Sequence, residues 1–151
     1  MIPLFISNAL CGEKLPLYGD GRQVRNWIYV EDHALAILHA LKKGKPGEIY
    51  NISSKTELRN IELTKRLLGI LGKPESLIRR VTDRLGHDRR YAIDSSKLRA
   101  LGWKERFSFE RAFTDTVLWY ERHEDWWKAI KRKKKGFLDF YRKAYAGRVK
   151  V

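Results

Sequence analysis

The 151-residue sequence has a single cysteine, Cys11, and four histidines that stand far apart along the chain. One cysteine cannot form an internal disulfide, and no Cys/His group has zinc-site spacing, which excludes a disulfide staple and a structural metal centre. No apolar run approaches the roughly 20 residues that cross a bilayer, and no basic and apolar leader follows Met1. These absences predict a cytoplasmic protein with no membrane partner and no bound metal.

The motifs of a self-sufficient enzyme are also missing. The sequence has no glycine-rich phosphate loop at a strand-to-helix turn and no acid, base or nucleophile paired at a recognisable spacing. We therefore expect no catalytic residue and no cofactor-binding residue in this chain. The sequence resembles part of an enzyme more than a whole one.

Positive charge is abundant, since 32 Lys and Arg face 18 Asp and Glu for a net charge of +14. Residues 128–151 hold ten basic residues and one acidic residue, and an apolar face recurs at helical spacing over 137–146. We predict a domain at 1–127 and a basic helical tail at 128–151. The tail is either an arm that binds nucleic acid or another polyanion, or a solvated helix face. Abundant Lys, Arg and Glu with one Met is typical of heat-adapted proteins.

The remaining composition predicts one folded core. The chain is 43% hydrophobic and 12% aromatic, which is enough apolar matter for a single domain of this length. Apolar residues recur at helical spacing over 31–43 and 60–71, and β-rich runs at 24–30 and 48–52 precede these helices. A brief strand is predicted at 91–93. Strands that alternate with helices indicate the α/β class.

Four segments carry a resemblance to a known family. They read LPLYGDG at 15–21, VRNWIYVEDH at 24–33, YNI at 50–52 and DRLGHDRRYAID at 83–94. In this order and near this spacing they resemble the C-terminal part of the dTDP-glucose 4,6-dehydratases, which are extended short-chain dehydrogenases. The fourth segment is the most specific. The resemblance implies an incomplete substrate-binding part of such an enzyme, with few short strands packed with helices.

The resemblance also implies what lies elsewhere. In the family, an N-terminal Rossmann domain binds NAD and carries a Tyr-x-x-x-Lys pair, and the sequence has neither feature. The chain is then expected to bind a dTDP-sugar, to be inactive by itself, and to pair with a separate NAD-binding chain or with itself. Helix 31–43 and strand 48–52 would face the NAD domain and expose apolar surface without it.

Two arginines are the predicted diphosphate ligands. Arg25 and Arg84 match the family's diphosphate-binding arginines, and a planar guanidinium can donate two parallel hydrogen bonds to phosphate. Gly86 beside Arg84 lets the backbone approach a ligand closely. The alternative for Arg25 is a strand-edge ion pair with Glu31 or Asp32.

The nucleobase is expected to contact Pro16 and Tyr18, which match the family's thymine-proximal Pro-x-Tyr element. An aromatic ring at this place can stack on a base. Tyr145 resembles the family's C-terminal tyrosine that reaches back to the ligand. The alternative for both tyrosines is packing in the core.

Three polar residues complete the predicted substrate site. Asn51 follows a predicted strand at the sheet edge where ligands collect, and its amide can both donate and accept. Asp83 and His87 are predicted to shape the loop or to contact ribose and phosphate. The alternatives are a turn asparagine for Asn51 and a satisfied structural histidine for His87.

The sequence departs from the family pattern at three places. Asn26 stands where the family has Asp, Leu85 where it has Pro, and Ser53 and Ser54 where it has a Gly pair. A loop without that proline is less rigid, and serine restricts close backbone approach. We expect these changes to weaken ligand binding.

Overall fold

The computed structural model describes residues 1–133, Lys143 and Tyr145, and these form a mixed α/β fold of six helices and four short strands. The helices are α1 (Ile2–Leu10), α2 (Val30–Lys43), α3 (Asn60–Ile70), α4 (Ser96–Ala100), α5 (Phe109–Arg122) and α6 (Glu124–Lys133). The strands are β1 (Leu15–Tyr18), β2 (Val24–Asn26), β3 (Glu57–Arg59) and β4 (Ile78–Val81), with a 3-10 turn at Glu75–Leu77. The predicted α/β class is confirmed.

The four strands form two separate pairs. β1 and β4 are parallel, with Leu15 opposite Ile78, whereas β2 and β3 are antiparallel. Arg90 adds a single bridge beside Val24 on β2, which fixes the loop after β4 against the second pair. Both pairs therefore adjoin the loop that carries Arg84, and the other predicted diphosphate ligand, Arg25, lies on β2.

The main core lies between α1, β1, α3 and α5. Ile6, Leu17, Leu63, Leu67 and Val117 are almost completely buried there. Each such side chain contributes about 1.5–3 kcal/mol when it is removed from water. This cluster anchors β1, so the residues at the end of β1 are held by a packed body.

A smaller core joins α2 to α4. Ala36, Leu98 and Trp103 are buried in it, and Tyr50 and Ile52 pack against its edge. This cluster explains why α4 forms although it has only five residues, since Leu98 is completely buried. Packing rather than helix propensity stabilises so short a helix.

Three predicted strand segments need correction. Residues 48–52 form no strand and Ile49 is 79% exposed, because no neighbouring strand among the described residues supplies hydrogen-bond partners. At 91–93 the only ladder contact is the bridge made by the preceding Arg90. The run at 24–30 ends as a strand at Asn26, and α2 begins at Val30. The sequence reasoning missed the strand β4, because two of its four residues are arginines and charged residues are not typical of a strand.

The ends of the helices also differ in detail. Asn60, predicted to cap α3, lies inside its first turn, and Glu62 accepts a hydrogen bond from the backbone N–H of the N-cap residue, Arg59. Ser108 caps α5 as the pattern suggests, because its hydroxyl accepts from the backbone N–H of Arg111. The predicted boundary at residue 127 falls within α6, where Trp127 is buried. The predicted helix at 137–146 lies outside the described residues, apart from Lys143 and Tyr145.

One face of the molecule is apolar and open to solvent, as predicted for α2 and the following segment. Its exposed large side chains are Val30, Ile37, Leu38, Leu41 and Ile49. Leu41 and Ile49 are each about four-fifths exposed, at 80% and 79%. We call these five residues the α2 face. Within the described part of the chain, no helix has the length and hydropathy of a membrane span.

Candidate functional site

A cavity of about 400 Å³ lies between α1, β1, β2 and the loop after β4. Its wall includes six of the eight predicted site residues, namely Pro16, Tyr18, Arg25, Arg84, His87 and Tyr145. The rest of the wall is formed by Met1 and apolar side chains of α1 and β1, together with Asn26, Trp27 and Asn60. We call this space the arginine cavity, because two arginines line it together with apolar and aromatic groups.

The guanidinium of Arg25 is held at several points. It donates to the Val24 carbonyl at 2.7 Å and to the Asp88 carbonyl at 3.0 Å, and its Nη2 lies 2.9 Å from His87 Nε2. The Cζ atom of Arg25 lies 4.5 Å from the centroid of the Tyr91 ring. None of these partners is a carboxylate, so the positive charge of Arg25 is not neutralised by an ion pair among the described residues.

The alternative ion pair of Arg25 with the start of α2 does not form. Asp32 is buried and accepts from the backbone N–H of Arg106 at 2.8 Å, while Glu31 accepts from the Tyr29 hydroxyl. The Asp32 carboxylate thus attaches α2 to the chain before α5, whereas Glu31 bonds to the residue that precedes α2. Neither carboxylate pairs with Arg25, which lines the arginine cavity.

Arg84 lies on the loop after β4 and is exposed at the cavity wall. Among the described residues no carboxylate forms an ion pair with it, although its backbone N–H donates to Asp83 Oδ1 at 2.9 Å. Gly86 has a φ of +66°, a left-handed conformation that allows the tight turn after Arg84. Leu85, at the tip, is fully exposed at 102%.

Asp83 does not line the cavity itself but bonds to His87, which does. Burial raises the pKa of its carboxyl, but hydrogen bonds from His87, the Arg84 backbone and Gln23 outweigh this and lower the pKa overall. His87 Nδ1 lies 2.6 Å from Asp83 Oδ1, and Gln23 Nε2 donates to Asp83 Oδ2 at 2.6 Å. Asp83 therefore orients His87, whereas His87 itself lines the cavity.

Aromatic rings form another part of the wall. Tyr18 stacks on Tyr145 with ring centroids 5.9 Å apart, and it meets His87 edge to face at 5.7 Å. Pro16, two residues before Tyr18 on β1, lines the same wall. A flat apolar surface of this kind suits a base or another planar group.

Asn51 is not brought to this cavity. It is exposed on the extended segment that follows α2, and it does not belong to the cavity wall. The placement predicted at a sheet edge fails because residues 48–52 do not join a sheet.

Two other residues line the cavity and were missed. Asn60 is only 8% exposed, and its Oδ1 is buried with no hydrogen-bond partner among the described residues. The indole N–H of Trp27 is likewise buried and has no partner in that part of the chain. Unpaired buried polar atoms are costly, which is why they often mark a ligand site. One sequence feature could have identified Asn60. Glu62 stands three residues after Arg59, which is the spacing of a capping box with its N-cap at Arg59, so the side chain of Asn60 is not needed as the cap.

The substituted positions form a compact network beside the site. Asn26 donates to the Ser54 carbonyl at 2.7 Å and accepts from the Ser54 backbone N–H at 3.0 Å. The hydroxyl of Ser53 donates to the Ile93 carbonyl at 2.7 Å. Both serines are thus used to connect β2 with the chain before α4.

The residues present do not fit NAD or a metal. Gly19 and Gly21 have the first spacing of a G-x-G-x-x-G loop, but position 24 is valine and β1 ends in a turn that leads to β2. No Tyr-x-x-x-Lys pair occurs in the sequence. Within residues 1–133 and the two described tail residues, no three potential metal ligands cluster.

A larger apolar groove of about 980 Å³ lies on the other side of Trp27. It is lined mainly by the residues between β2 and α2, the start of α2, the residues before α5, and α5 itself. Aromatic side chains dominate its wall, namely Trp27, Tyr29, Phe107, Phe109, Phe113, Trp119, Tyr120 and Trp126. Val30 belongs both to this groove and to the α2 face, so the two apolar surfaces are continuous.

The basic segment is described only in part. Lys128 pairs with Glu124 on α6, and Lys131 donates to Glu13 at 2.7 Å, so these two lysines are engaged within the chain. Most of the other basic residues of 128–151 lie outside the described part. Binding of nucleic acid by this segment stays a prediction.

Comparisons with known proteins agree with this geometry. Residues 1–116 match the family described as GDP-mannose 4,6 dehydratase. The dTDP-glucose 4,6-dehydratase of Escherichia coli is 46% identical over 142 residues, which cover 86% of this chain and 39% of that enzyme. The enzyme of the same name from Xanthomonas campestris is 49% identical over 136 residues, or 83% of this chain and 39% of the relative.

Solved structures show the same similarity. A double mutant of the dTDP-glucose 4,6-dehydratase of Streptomyces venezuelae, with NAD bound, has a TM-score of 0.82 and 46% identity. The match covers 85% of this chain and 40% of that one. A UDP-glucose 4-epimerase from Thermotoga maritima has a TM-score of 0.74 and 30% identity, over 81% of this chain and 40% of its own.

The chain thus spans about two fifths of the length of these relatives, 39% of the Escherichia coli enzyme and 40% of the Streptomyces venezuelae structure. The shared part is the C-terminal part of the extended short-chain dehydrogenases. The chain belongs to the GDP-mannose 4,6 dehydratase family and, within it, matches the C-terminal part of the dTDP-glucose 4,6-dehydratases.

Proposed function

We propose that this chain is the nucleotide-sugar-binding portion of a dTDP-glucose 4,6-dehydratase, which converts dTDP-glucose to dTDP-4-keto-6-deoxyglucose. The observation that carries the proposal is that Arg25 and Arg84 line one cavity together with aromatic and apolar side chains. A nucleoside diphosphate sugar has this polarity, since its anionic centre lies between a planar base and a polar sugar.

The cationic side of the cavity suits a diphosphate. Neither Arg25 nor Arg84 forms an ion pair with a carboxylate among the described residues, and His87 lies beside Arg25. Each charge-assisted hydrogen bond to phosphate contributes roughly 1.5–3 kcal/mol. The two guanidinium groups therefore supply most of the affinity that we expect for the ligand.

The aromatic and apolar residues of the cavity suit a nucleobase. The volume of about 400 Å³ lies in the usual range of about 300–1,000 Å³ for small-molecule sites. Tyr18 offers a ring for stacking, and the unpaired Asn60 Oδ1 and Trp27 N–H supply one acceptor and one donor for the polar edges of the ligand. The similar Streptomyces venezuelae enzyme is a dTDP-glucose 4,6-dehydratase, which supports the choice of ligand.

Calorimetry with dTDP and the 151-residue chain tests binding. We expect binding by the parent and at least about a tenfold loss in Arg84→Ala, which removes one charge-assisted contact. Arg80→Ala is the matched control, because it removes the same charge from an exposed residue of β4 outside the cavity wall. Absence of binding by the parent, or an equal loss in both variants, would contradict the proposed site.

Catalysis is proposed to need an NAD-binding partner, because no residue of this chain fits NAD or the family's Tyr-x-x-x-Lys pair. The α2 face and the continuous aromatic groove are the surfaces that this partner would cover. Together they form an exposed apolar area larger than scattered surface residues would produce. Pairing of two copies through the same surfaces is the alternative.

Complementation tests the enzymatic part of the proposal. The chain is co-expressed with the part of the Escherichia coli enzyme that it does not match, and the 4-keto-6-deoxy sugar is measured after addition of dTDP-glucose and NAD. The Escherichia coli enzyme split at the same position, with its own C-terminal part, is the positive control. We expect product from the mixture and none from the isolated chain. Turnover by the isolated chain would refute inactivity, and an inert mixture beside a working control would refute complementation.

A further inference from the structure

Asp88 carries a carboxylate next to Arg25 but forms no ion pair with it. The backbone carbonyl of Asp88 accepts from Arg25 Nη2 at 3.0 Å, so the two residues are in direct contact. The Asp88 side chain instead accepts, through Oδ2, a hydrogen bond from the hydroxyl of Tyr91. In the part of the chain that the structure describes, the Asp88 carboxylate has no cationic partner.

The two basic residues that follow Asp88 are engaged elsewhere. Arg89 pairs with Asp20 in the turn between β1 and β2 at 3.0 Å, and Arg90 pairs with Glu57 on β3 at 2.9 Å. These two pairs fix the backbone of the loop against the body of the protein. They also leave neither arginine available to the Asp88 carboxylate.

The arginine cavity has more cationic than anionic groups around it. Met1, Arg25 and Arg84 line it, although burial lowers the pKa of the Met1 amino group. Asp83 and Asp88 contact the two arginines through hydrogen bonds to or from the backbone, but neither aspartate lines the cavity. A carboxylate of Asp88 turned toward Arg25 would therefore reduce the positive charge that attracts an anion.

Tyr91 contacts both Asp88 and Arg25. The Arg25 guanidinium lies over the Tyr91 ring, and the Tyr91 backbone N–H donates to the Val24 carbonyl at 3.2 Å, which holds Tyr91 beside β2. Hydrogen bonding to Asp88 raises the pKa of the Tyr91 hydroxyl, so at neutral pH its proton is retained and donated to the carboxylate. Tyr91 does not line the cavity, so its effect on a ligand passes through its neighbours.

We propose that Tyr91 is a positioning residue of the arginine cavity: its hydroxyl holds the Asp88 carboxylate away from Arg25 and so keeps the guanidinium available to the diphosphate of a nucleotide sugar. The inference rests on the proposed function. Without the hydroxyl, the Asp88 side chain is free to rotate toward Nη2, where the carbonyl of the same residue already bonds. An ion pair between Arg25 and Asp88 then competes with the ligand for the same donors.

The test is calorimetry with dTDP on two variants that break the same hydrogen bond. Tyr91→Phe keeps the ring over Arg25 but removes the donor, and we expect about two- to fivefold weaker binding, the effect of a partly exposed ion pair. Asp88→Ala removes the acceptor together with the competing charge, so binding should be equal to that of the parent or tighter. The double variant should bind like Asp88→Ala, because no carboxylate remains to compete.

Tyr29→Phe is the matched control. The Tyr29 hydroxyl also donates to a carboxylate, that of Glu31 at 3.3 Å, but Tyr29 does not line the arginine cavity. Its removal should leave dTDP binding unchanged, and an equal loss in Tyr29→Phe and Tyr91→Phe would contradict the inference. Tyr91 is 50% exposed and Asp88 is also exposed, so we expect both variants to fold like the parent.

The signs of the two changes decide the inference. If the hydrogen bond only shapes the loop, Tyr91→Phe and Asp88→Ala weaken binding alike, and that result overturns the inference. A loss in Tyr91→Phe that persists in the double variant also overturns it, since the competing carboxylate is then gone. Absence of binding by the parent overturns the proposed function together with this inference, whereas binding that is insensitive to Tyr91→Phe overturns this inference alone.

Discussion

Arg99 and Glu105 form a bidentate ion pair, with nitrogen to oxygen distances of 2.6 and 2.7 Å. The same guanidinium donates to the Ser53 carbonyl at 3.0 Å, and Glu105 accepts from the Lys55 backbone N–H at 3.1 Å. The pair thus connects α4, the segment 53–55 and the chain before α5. Hydrogen bonding from Arg99 outweighs burial and lowers the pKa of Glu105 to about 2.

The first prediction is that this pair stabilises the fold at neutral pH and fails in acid. Glu105 has a folded-state pKa of about 2 against an ordinary value of 4.5. A carboxyl whose pKa is depressed in the folded state stabilises the fold at pH values above its ordinary pKa. For Glu105 this contribution to the free energy of unfolding is about 3 kcal/mol, and it is lost as the pH falls from 4.5 through 2. Urea unfolding should show Glu105→Gln destabilised by about 2–3 kcal/mol at pH 7 and by much less at pH 2.

Glu110→Gln is the matched control for this prediction. Glu110 pairs with Arg66 at 3.4 Å, but both side chains are exposed, and such pairs contribute less than about 1 kcal/mol. Its free energy of unfolding should stay close to that of the parent at both pH values. A Glu105→Gln variant as stable as Glu110→Gln at pH 7 would refute a structural role for the pair.

The elements that sequence reasoning found are those whose signals are local. Helical spacing of apolar residues identified α2 and α3, because this pattern acts within a few residues. Residues 48–52 have β-rich sequence but no strand partner among the described residues, and pairing is a non-local property. β4 was missed for the converse reason, since its partner β1 is about sixty residues away.

The candidate site shows the same division. Arg25, Arg84 and His87 came from a motif resemblance, and the structure places all three at one cavity. Asn51 was chosen because it follows a supposed strand, and it lies elsewhere. Asn60 is 35 residues from Arg25 and 24 residues from Arg84 along the chain. It nevertheless lines the same cavity, and its backbone N–H donates to the Gln23 carbonyl at 3.0 Å.

The second prediction concerns the turn between β1 and β2. Gly21 has a φ of +71°, and a Cβ there would lie 2.7 Å from Leu17 Cδ2 and 3.0 Å from Ile61 Cβ. Gly21→Ala combines a strained backbone with overpacking, so we expect a loss of about 2–4 kcal/mol in the free energy of unfolding. Gly47→Ala has a similar φ of +81° but nothing within 4 Å, and should lose only about 1 kcal/mol. Equal losses in denaturant titrations would show that packing around Gly21 is unimportant.

The third prediction separates ligand contact from stability at Asn60. Its Oδ1 has no partner in the described structure, so Asn60→Ala should change the free energy of unfolding by less than about 1 kcal/mol. Loss of a hydrogen bond to the ligand should weaken dTDP-glucose binding by roughly three- to tenfold. Asn51→Ala, at an exposed residue outside the cavity, should leave binding unchanged in the same calorimetric titration. Weaker binding in Asn51→Ala, with unchanged binding in Asn60→Ala, would contradict this assignment and support the sheet-edge site predicted from the sequence.

The fourth prediction concerns the α2 face. Leu41 and Ile49 are 80% and 79% exposed, so they contribute little to the fold of this chain. The double variant Leu41→Lys, Ile49→Lys should keep the free energy of unfolding within about 1 kcal/mol, because substitutions at exposed sites rarely cost more. It should also prevent product formation in the complementation assay, because a partner would have to bury two charges in an apolar interface.

The control for the α2 face replaces two exposed polar residues away from it, Lys73→Glu and Glu75→Lys, which keeps the net charge. Complementation should survive in this control. Light scattering after size exclusion then distinguishes the two occupants of the face: if copies of the chain pair through it, the parent has the mass of a dimer and the Leu41→Lys, Ile49→Lys variant that of a monomer. A variant that still complements fully would show that the partner docks elsewhere, because two buried lysines without counter-charges are incompatible with a tight apolar contact.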